Sequence, residues 1–387
     1  MLDKDATVAF RKATGTHKFY RAVFSHISVP STNSMRSSLK SVLGCPRDKS
    51  RLEFAESTCS CEFGHSYPVV AGIPVLLVED VTQTIGIAQA SIRAARSPQE
   101  TSVEEETQFY LDTLGISEKE RAGIYREHQR GNSVIDPVVK YLVAATNGNL
   151  YKPMIGNLDS YPIPSLPLET GNGRILVDIG CSWGRWSIAA ARKGYNVIGI
   201  DPSLGAILAA RRVSKQLGCE ADFIVADARF LPLRARSIDI AFSYSVLQHF
   251  SKADVRSTLA ELRRVLVPRG CSVIQMANAF GIRSMQNQLR RGFREPTDFN
   301  VRFWRPTELQ STFSALLGDT EMSVDGYFGL GIQASDSLLL PFRYRVIVRA
   351  SEIVKRLSGK AKWVRFLADS VYLHSVVDDC RLLEEAT

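Results

Sequence analysis

Two acidic side chains flank a glycine turn near the middle of the chain. Asp178 lies near the end of one apolar run, Gly180 and Gly184 follow in a turn, and Asp201 ends the next apolar run. Glycines at such positions leave main-chain N–H groups accessible and permit positive φ, so a ligand can lie against the backbone. Dinucleotide sites use the pattern G-x-G-x-x-G to hold a pyrophosphate at a helix N-terminus. Here Ser182 stands at the middle glycine position, which disfavours a pyrophosphate.

The two acids define the expected ligand further. A carboxylate repels phosphate, so the group bound near Asp178 is expected to be cationic. A carboxylate at the tip of the second strand, where Asp201 lies, is placed to accept hydrogen bonds from a ribose diol. The residues therefore predict an adenosine that carries an amino acid and no phosphate, which is S-adenosylmethionine.

Three stretches of sequence carry a family resemblance. They are "VDIGCSWGRWSIAAARKGYNVIGIDPS", "VADARFLPLRARSIDIAFSYSVLQHF" and "ELRRVLVPRGCSVIQ". In this order they resemble the motifs of class I S-adenosylmethionine-dependent methyltransferases. Ser182 and the "VPRG" turn, which replaces the usual Pro-Gly-Gly, depart from the family pattern.

The resemblance implies roles for residues at the matching positions. The methionine part of the cofactor would lie against the glycine turn and Asp178, and Asp201 would take the ribose hydroxyls. Asp227 and Ala228 would lie at the edge of the adenine ring, and Ser243 would lie beside the cofactor. The full cofactor-binding set is Asp178, Gly180, Cys181, Gly184, Asp201, Asp227, Ala228 and Ser243.

His249 is the candidate general base. A base is needed only if the methyl acceptor holds a proton at neutral pH, as a hydroxyl does. The ordinary pKa of histidine suits that task, and similar methyltransferases often face this position toward the substrate. A histidine that only orders the loop by hydrogen bonding is the alternative, and Gln248, a candidate substrate contact, has the same two interpretations.

Alternating strands and helices must position these residues. Apolar, non-alternating strands between helices indicate a parallel sheet covered on both faces. Right-handed crossovers then give a doubly wound α/β fold, Rossmann-like, with a mostly parallel seven-stranded sheet. Strands are predicted at 174–179, 196–201, 222–227, 238–245 and 271–278, and helices at 183–193, between Ser203 and Gly218, and at 252–266. Two late strands, at 321–331 and 369–377, are expected to close the sheet, with a helical cap inserted between them.

Composition shifts divide the chain into five parts. The predicted parts are a polar, partly disordered N-terminus (1–41), a small β module (42–79), a helical segment with a Pro-rich linker (80–170), the S-adenosylmethionine-binding core (171–280) and a C-terminal part with the substrate cap (281–387).

The small module holds a possible metal site. The stretches "GCPRDKSRL" and "CSCEFGHSYPVVAGIPVLL" resemble the zinc ribbon found in front of some ribosomal RNA guanine methyltransferases. The resemblance implies Cys45, Asp48, Cys61 and His65 as zinc ligands, with Asp48 in place of a cysteine. Zinc accepts carboxylate oxygen as well as sulfur and nitrogen, and such a site would be structural. A metal-free remnant of the ribbon is the alternative.

Composition leaves the acceptor open. A net charge of +8 spread along the chain is weak evidence for an anionic partner. We expect O- or C-methylation of a small-molecule, sugar or lipid-linked acceptor, with Arg290, Arg291 and Arg294 meeting a phosphate or carboxylate. An RNA methyltransferase is the alternative. It is disfavoured because the sequence has neither an Asn/Asp-Pro-Pro-aromatic motif nor an arginine stripe with interleaved aromatic residues. A catalytically silent scaffold on the same fold is the alternative from another class.

The remaining patterns concern location. The chain has seven cysteines, several inside apolar segments, which suits a reducing compartment better than a disulfide framework. Neither a signal peptide nor an apolar run of roughly 18 to 20 residues is found, so the prediction is cytoplasmic. The basic amphipathic segment at 339–366 has two interpretations, peripheral contact with an anionic membrane or packing on the sheet.

Overall fold

The computed structural model describes residues 36–96, 134–146, 151, 154, 158–296, 299–329, 333–339, 341–359 and 362–378. The predictions for residues 1–35, for the polar part of the 80–170 segment at 97–133, and for Cys380 lie outside the described residues. The described residues all belong to one compact unit.

Strands and helices alternate through the core much as predicted. The strands are β1 Leu52–Phe54, β2 Thr58–Cys61, β3 Ser66–Val70, β4 Ile73–Leu76, β5 Ile175–Ile179, β6 Asn196–Asp201, β7 Ala221–Ala226, β8 Ile238–Ser243, β9 Leu266–Ala277, β10 Gly318–Gly326 and β11 Ser370–Val377. The helices are α1 Ser37–Val42, α2 Gly86–Arg96, α3 Pro137–Thr146, α4 Arg185–Arg192, α5 Leu204–Gln216, α6 Lys252–Val265, α7 Ile282–Arg290, α8 Pro306–Leu316 and α9 Phe342–Ser358.

The strands form one sheet in the order β1-β2-β3-β4-β7-β6-β5-β8-β9-β11-β10. Strands β5 to β9 run parallel, and β11 lies antiparallel between β9 and β10. From β5 the chain first adds β6 and β7 on one side and later β8 and β9 on the other. The order therefore reverses between β5 and β8, which confirms the doubly wound class and puts a binding crevice at the carboxyl ends of these strands.

The sheet has more strands than the seven that were predicted. Strands β5 to β11 supply those seven, and β1 to β4 of the small module extend the same sheet. The joint is the parallel pairing of β4 with β7, where Val75 lies opposite Val225. All four residues of β4 are buried, as in a central strand rather than an edge. The module is thus continuous with the core.

Two of the helices that border the crevice have a side-chain cap at their N-terminus. Ser203 Oγ accepts a hydrogen bond from the amide of Ala206, and Ser251 Oγ accepts one from the amide of Asp254. These caps satisfy amides that the first helical turn leaves without a partner. Both agree with the predicted helix starts.

The late strands close the sheet as expected. β10 pairs with β11 along its length, and the segment between them forms α9 and a 3₁₀ turn at Lys362–Leu367. Helix α9 contacts β10, so it covers the end of the sheet as a cap. No helix in the described part of the chain is long and apolar enough to cross a bilayer.

Candidate functional site

The glycine turn adopts the backbone conformation that the sequence predicts. Gly180 has φ +73° and Gly184 has φ +81°. A Cβ on Gly180 would fall 2.2 Å from Val246 Cγ2, so no larger residue fits there. Ser182, in place of the middle glycine, has φ +49°, a left-handed conformation that serine rarely adopts. Ser182 thus adopts a backbone conformation of the kind that glycine favours.

Asp201 stabilises that turn. Its Oδ2 accepts a hydrogen bond from the Ser182 amide at 2.9 Å, and its Oδ1 accepts one from the Ser203 amide at 2.9 Å. Burial raises the pKa of Asp201 to about 6, and the two amides oppose that shift. The carboxylate is therefore held rigidly at the tip of β6, facing the crevice.

Asp178 lies beneath the turn. It is only 1% exposed, and its Oδ2 accepts a hydrogen bond from Ser187 Oγ at 2.6 Å. Burial raises the pKa of Asp178 to about 7, and the neighbouring charge of Asp201 acts in the same direction. A cation close to Asp178 would favour its ionised form.

Asp227 is engaged by an arginine. Its Oδ2 accepts a hydrogen bond from Arg229 Nη2 at 2.7 Å, and Arg229 Nη1 also bonds Asp254 at 3.0 Å. Ala228 follows at the start of a 3₁₀ turn. Ser243 is 1% exposed and donates a hydrogen bond to the carbonyl of Ile179 at 3.0 Å, which ties β8 to β5.

These elements enclose a cavity of about 340 Å³. Among the predicted cofactor residues, those that line it are Gly180, Cys181, Asp201, Asp227 and Ala228. Asp178, Gly184 and Ser243 are not among the lining residues. The lining also includes Thr84, Ile85 and Ile87 and, from α3, Leu142 and Thr146, which the sequence analysis did not single out. The spacing of apolar residues in α3 predicts a helix but does not indicate which part of the protein the helix packs against. We name this space the cofactor chamber.

A second cavity, of about 540 Å³, lies beside the first. It is bounded by the ends of β8 to β11 and by α7 and α9, and we name it the acceptor chamber. Four residues line both chambers: Thr146, Tyr244, Ser245 and His249. The two chambers therefore meet at the carboxyl end of β8.

A hydrogen-bonded network forms the floor of the acceptor chamber. Tyr244 Oη donates to Asp325 Oδ2 at 3.0 Å, and Ser370 Oγ donates to the same oxygen at 2.5 Å. Gln275 donates to Ser370, and its Oε1 accepts from the Ser245 amide at 2.7 Å. Burial raises the pKa of Asp325. Sequence reasoning missed Asp325, although its place at the end of a late strand puts it at the same sheet edge.

The tautomer of His249 follows from its contacts. Nδ1 lies 2.9 Å from the carbonyl oxygen of Phe299, which can only accept, so Nδ1 carries the proton and Nε2 is the acceptor nitrogen. The imidazole stacks on the Phe299 ring with centroids 4.5 Å apart. Burial lowers the pKa of His249 to about 4, so the ring is neutral at physiological pH. Next to it, Gln248 is buried and donates to Ser245 Oγ at 2.8 Å.

A sequence family described as a methyltransferase domain matches residues 176–270. These residues form a methyltransferase domain. The match runs from β5 to the turn within β9, so it includes the glycine turn, Asp201 and Asp227. It confirms the resemblance to class I methyltransferases.

Relatives of the methyltransferase domain are named for two biosynthetic pathways, those of ubiquinone and biotin. The ubiquinone biosynthesis O-methyltransferase of Rhizobium rhizogenes is 30% identical over 168 residues, 41% of this chain and 64% of that protein. The biotin biosynthesis bifunctional protein of Cellvibrio japonicus is 35% identical over 109 residues, 28% of this chain and 20% of that protein. The chain thus spans less than two thirds of the length of these relatives.

One solved structure similar to this chain is phosphoethanolamine N-methyltransferase 2 of Haemonchus contortus, in complex with phosphomonomethylethanolamine and S-adenosylhomocysteine. It is 18% identical and covers 62% of this chain and 60% of its own, with a TM-score of 0.41.

The predicted substrate arginines lie away from the chambers of the methyltransferase domain. Arg290 and Arg294 are exposed, and Arg291 donates to the carbonyl of Val301 at 3.0 Å. None of the three lines either chamber, because they lie at or beyond the last turn of α7, whereas the first turns border the acceptor chamber. Arg283 and Asn287 of the same helix line it instead.

The four predicted metal ligands come together in the small module. Their donor atoms all lie within 4.8 Å of one another, and His65 Nδ1 is 2.6 Å from Asp48 Oδ2. Cys45 Sγ is 3.6 Å from the same His65 nitrogen, and Cys61 Sγ is 3.2 Å from Asp48 Oδ2. Two sulfurs, an imidazole and a carboxylate are a donor set that suits tetrahedral zinc. None of the four residues lines either chamber, so they fit a structural metal ion, while zinc binding itself stays a prediction.

Proposed function

We propose that the protein transfers a methyl group from S-adenosylmethionine to a hydroxyl group of a small-molecule acceptor. The observation that supports this most is the junction of the two chambers, because a methyl donor in one and an acceptor in the other would face each other across Tyr244, Ser245 and His249. Such a transfer depends chiefly on aligning the nucleophile with the methyl group and on excluding water.

The cofactor chamber suits the donor. When bound, S-adenosylmethionine supplies an electrophilic methyl group with a neutral thioether as leaving group. Asp201 would accept hydrogen bonds from the ribose hydroxyls, and the main chain at Gly180 would lie against the methionine part. Asp178 would offset the positive charge from beneath the turn. Ala228, which lines the chamber beside Asp227, would edge the adenine ring.

His249 is the group that we assign as general base. His249 Nε2 would accept the hydroxyl proton as the acceptor oxygen takes the methyl group that S-adenosylmethionine would supply, with the neutral thioether as leaving group. The Phe299 carbonyl holds Nδ1–H and so points Nε2 as acceptor. The low pKa keeps the ring unprotonated before the reaction. The network around Asp325 would hold and orient the polar part of the acceptor.

The similarity to ubiquinone biosynthesis O-methyltransferases favours a hydroxyl as acceptor. A sugar or lipid-linked acceptor, or methylation at carbon, agrees with the same chambers. We therefore specify only the reacting group of the acceptor, a hydroxyl.

Calorimetry with S-adenosylhomocysteine tests the donor half of the proposal. The wild type should bind, and Asp201→Ala should bind roughly tenfold to a hundredfold more weakly, because charge-assisted hydrogen bonds contribute about 1.5–3 kcal/mol. Asp239→Ala is a matched control, since Asp239 bonds the Ile175 amide at the opposite end of the sheet. Equal affinity for wild type and Asp201→Ala would contradict the proposed site.

Transfer of labelled methyl groups from the cofactor into a cell extract tests the acceptor half. Label should enter the small-molecule or lipid fraction and be lost in His249→Gln. Label in RNA would support the alternative of an RNA methyltransferase. Cofactor binding with no transfer to any fraction would favour the silent scaffold.

A further inference from the structure

Exposed apolar side chains are concentrated on the cap of the molecule. Fourteen exposed large hydrophobic residues lie between positions 280 and 367, against three in the rest of the described chain. Contiguous apolar patches of this kind are rare on proteins that meet only water. We call the outer faces of α7, α9 and the 334–339 and 362–367 turns the cap surface.

Helix α9 contributes an outward apolar stripe. Phe342, Val346, Ile353 and Leu357 are exposed, and their spacing of four, seven and four residues puts them on one side of the helix. Phe342 is 75% exposed and Ile353 is 58% exposed. The opposite side of α9, which includes the buried Val348, faces the protein. This is the reverse of a surface helix whose apolar face covers a core.

Basic residues accompany the stripe. Arg349 and Arg356 are exposed and lie within the same side of α9 by helical spacing. The sequence of α9 contains five basic residues in all against a single acid, Glu352, which lines the acceptor chamber. The sequence of α7 contains two arginines and no acid. Mixed apolar and basic side chains on one face suit an anionic lipid surface.

Helix α7 and the 362–367 turn continue the surface. Ile282 and Leu289 are exposed on one side of α7, two turns apart. Asn278 Nδ2 donates to the carbonyl of Phe366 at 2.7 Å, so the start of α7 lies beside the turn that follows α9. Trp363 and Phe366 in that turn are exposed too. The elements that carry the exposed apolar side chains thus adjoin one another.

The same two helices line the acceptor chamber with their other sides. Arg283 and Asn287 of α7, and Glu352 and Lys355 of α9, border that chamber. A bilayer on the cap surface would therefore lie next to the space proposed for the acceptor.

We propose that the cap surface docks on an anionic phospholipid bilayer, with the apolar stripe in the headgroup layer and the arginines on lipid phosphates. This goes beyond the proposed methyl transfer and does not depend on it. A second copy of the chain is the competing occupant, since it could also cover apolar side chains.

Vesicle flotation of the full chain, without cofactor, tests the docking. The wild type should float with vesicles of phosphatidylcholine and phosphatidylglycerol, and much less with phosphatidylcholine alone. Ile353→Ser combined with Leu357→Ser should weaken binding about tenfold or more, through lost apolar insertion. Arg349→Gln combined with Arg356→Gln should weaken it about tenfold or more on anionic vesicles only.

Val134→Ser is the matched control, because Val134 is 63% exposed and lies outside the cap surface. It should bind vesicles as the wild type does. All variants should bind S-adenosylhomocysteine like the wild type, which separates lost docking from misfolding and from failure of the proposed reaction.

Two results would overturn the proposal. The first is that the wild type does not float with anionic vesicles, or that the stripe and arginine variants float as well as the wild type does. The other is a wild-type dimer in light scattering that Ile353→Ser with Leu357→Ser converts to monomer, since the stripe would then be an interface between copies.

Discussion

At the scale of single residues, the acids and glycines around the crevice divide into those that meet the ligand space and those that support it. Asp201 accepts hydrogen bonds from the Ser182 amide of the glycine turn and from the Ser203 amide that precedes α5, and it lines the cofactor chamber. Asp178, equally prominent in the sequence, lies beneath and bonds Ser187. The spacing of strands and turns predicts that both carboxylates lie at the sheet edge. It does not predict which carboxylate is buried, because burial depends on side chains that are distant in sequence.

His249 should determine the pH dependence of methyl transfer. Burial disfavours the charged imidazolium, so its pKa is about 4 instead of the usual value near 6.5, and the neutral base is present at every pH above that. With S-adenosylmethionine saturating, so that titration of Asp178 and Asp201 does not limit cofactor binding, we expect the transfer rate to stay level from about pH 8 to about pH 6, where an exposed histidine would lose activity. A decline centred near pH 6.5 would show that His249 is solvated or is not the base.

Replacement of the same residue should separate chemistry from binding. His249→Gln should lower the transfer rate by about 10²–10⁴ while leaving the affinity for S-adenosylhomocysteine unchanged, as expected for loss of a base. The measurement is labelled methyl transfer beside calorimetry on the same preparation. A rate within a factor of a few of the wild type would assign His249 the loop-ordering role instead.

At the scale of elements, the small module is part of the sheet. Leu76 in β4 is fully buried and pairs beside Ala226 of β7. Leu76→Ala should therefore lower the free energy of unfolding of the whole sheet by about 2–5 kcal/mol. Tryptophan fluorescence reports this well, because the four tryptophans, at 183, 186, 304 and 363, all lie outside the module. An unchanged tryptophan transition would mean that the module unfolds on its own.

The module also offers a direct test of metal binding. Purified protein should contain one zinc ion per chain, measured by elemental analysis, and Cys61→Ser should lose it, because a tetrahedral site needs all four ligands. Cys59→Ser is the matched control, since Cys59 is also buried in β2 but is not among the clustered ligands. Zinc-free wild type, or equal zinc in the two variants, would support the metal-free remnant.

The sequence predicted the core elements and the ligand cluster but not their surroundings. The strands at 196–201 and 370–377 and the Ser203 and Ser251 caps follow from local patterns, which need only neighbouring residues. The pairing of β4 with β7 joins residues about 150 positions apart, as set by the register of Val75 with Val225, and no local pattern records it. The same holds for the part of α3 in the lining of the cofactor chamber.

At the scale of the whole molecule, donor and acceptor spaces are separate chambers that meet at the end of β8, so their variants should fail in different ways. Asp325→Asn keeps the shape of the side chain but removes the charge that accepts from Tyr244 and Ser370. Asp325 lines the acceptor chamber and not the cofactor chamber. We expect Asp325→Asn to raise the acceptor KM or lower kcat while S-adenosylhomocysteine binds as in the wild type. Asp201→Ala should do the opposite and lose cofactor affinity first. If Asp325→Asn weakened cofactor binding as much as Asp201→Ala does, the two cavities would have to be one site, and the assignment of donor and acceptor to separate chambers would be wrong.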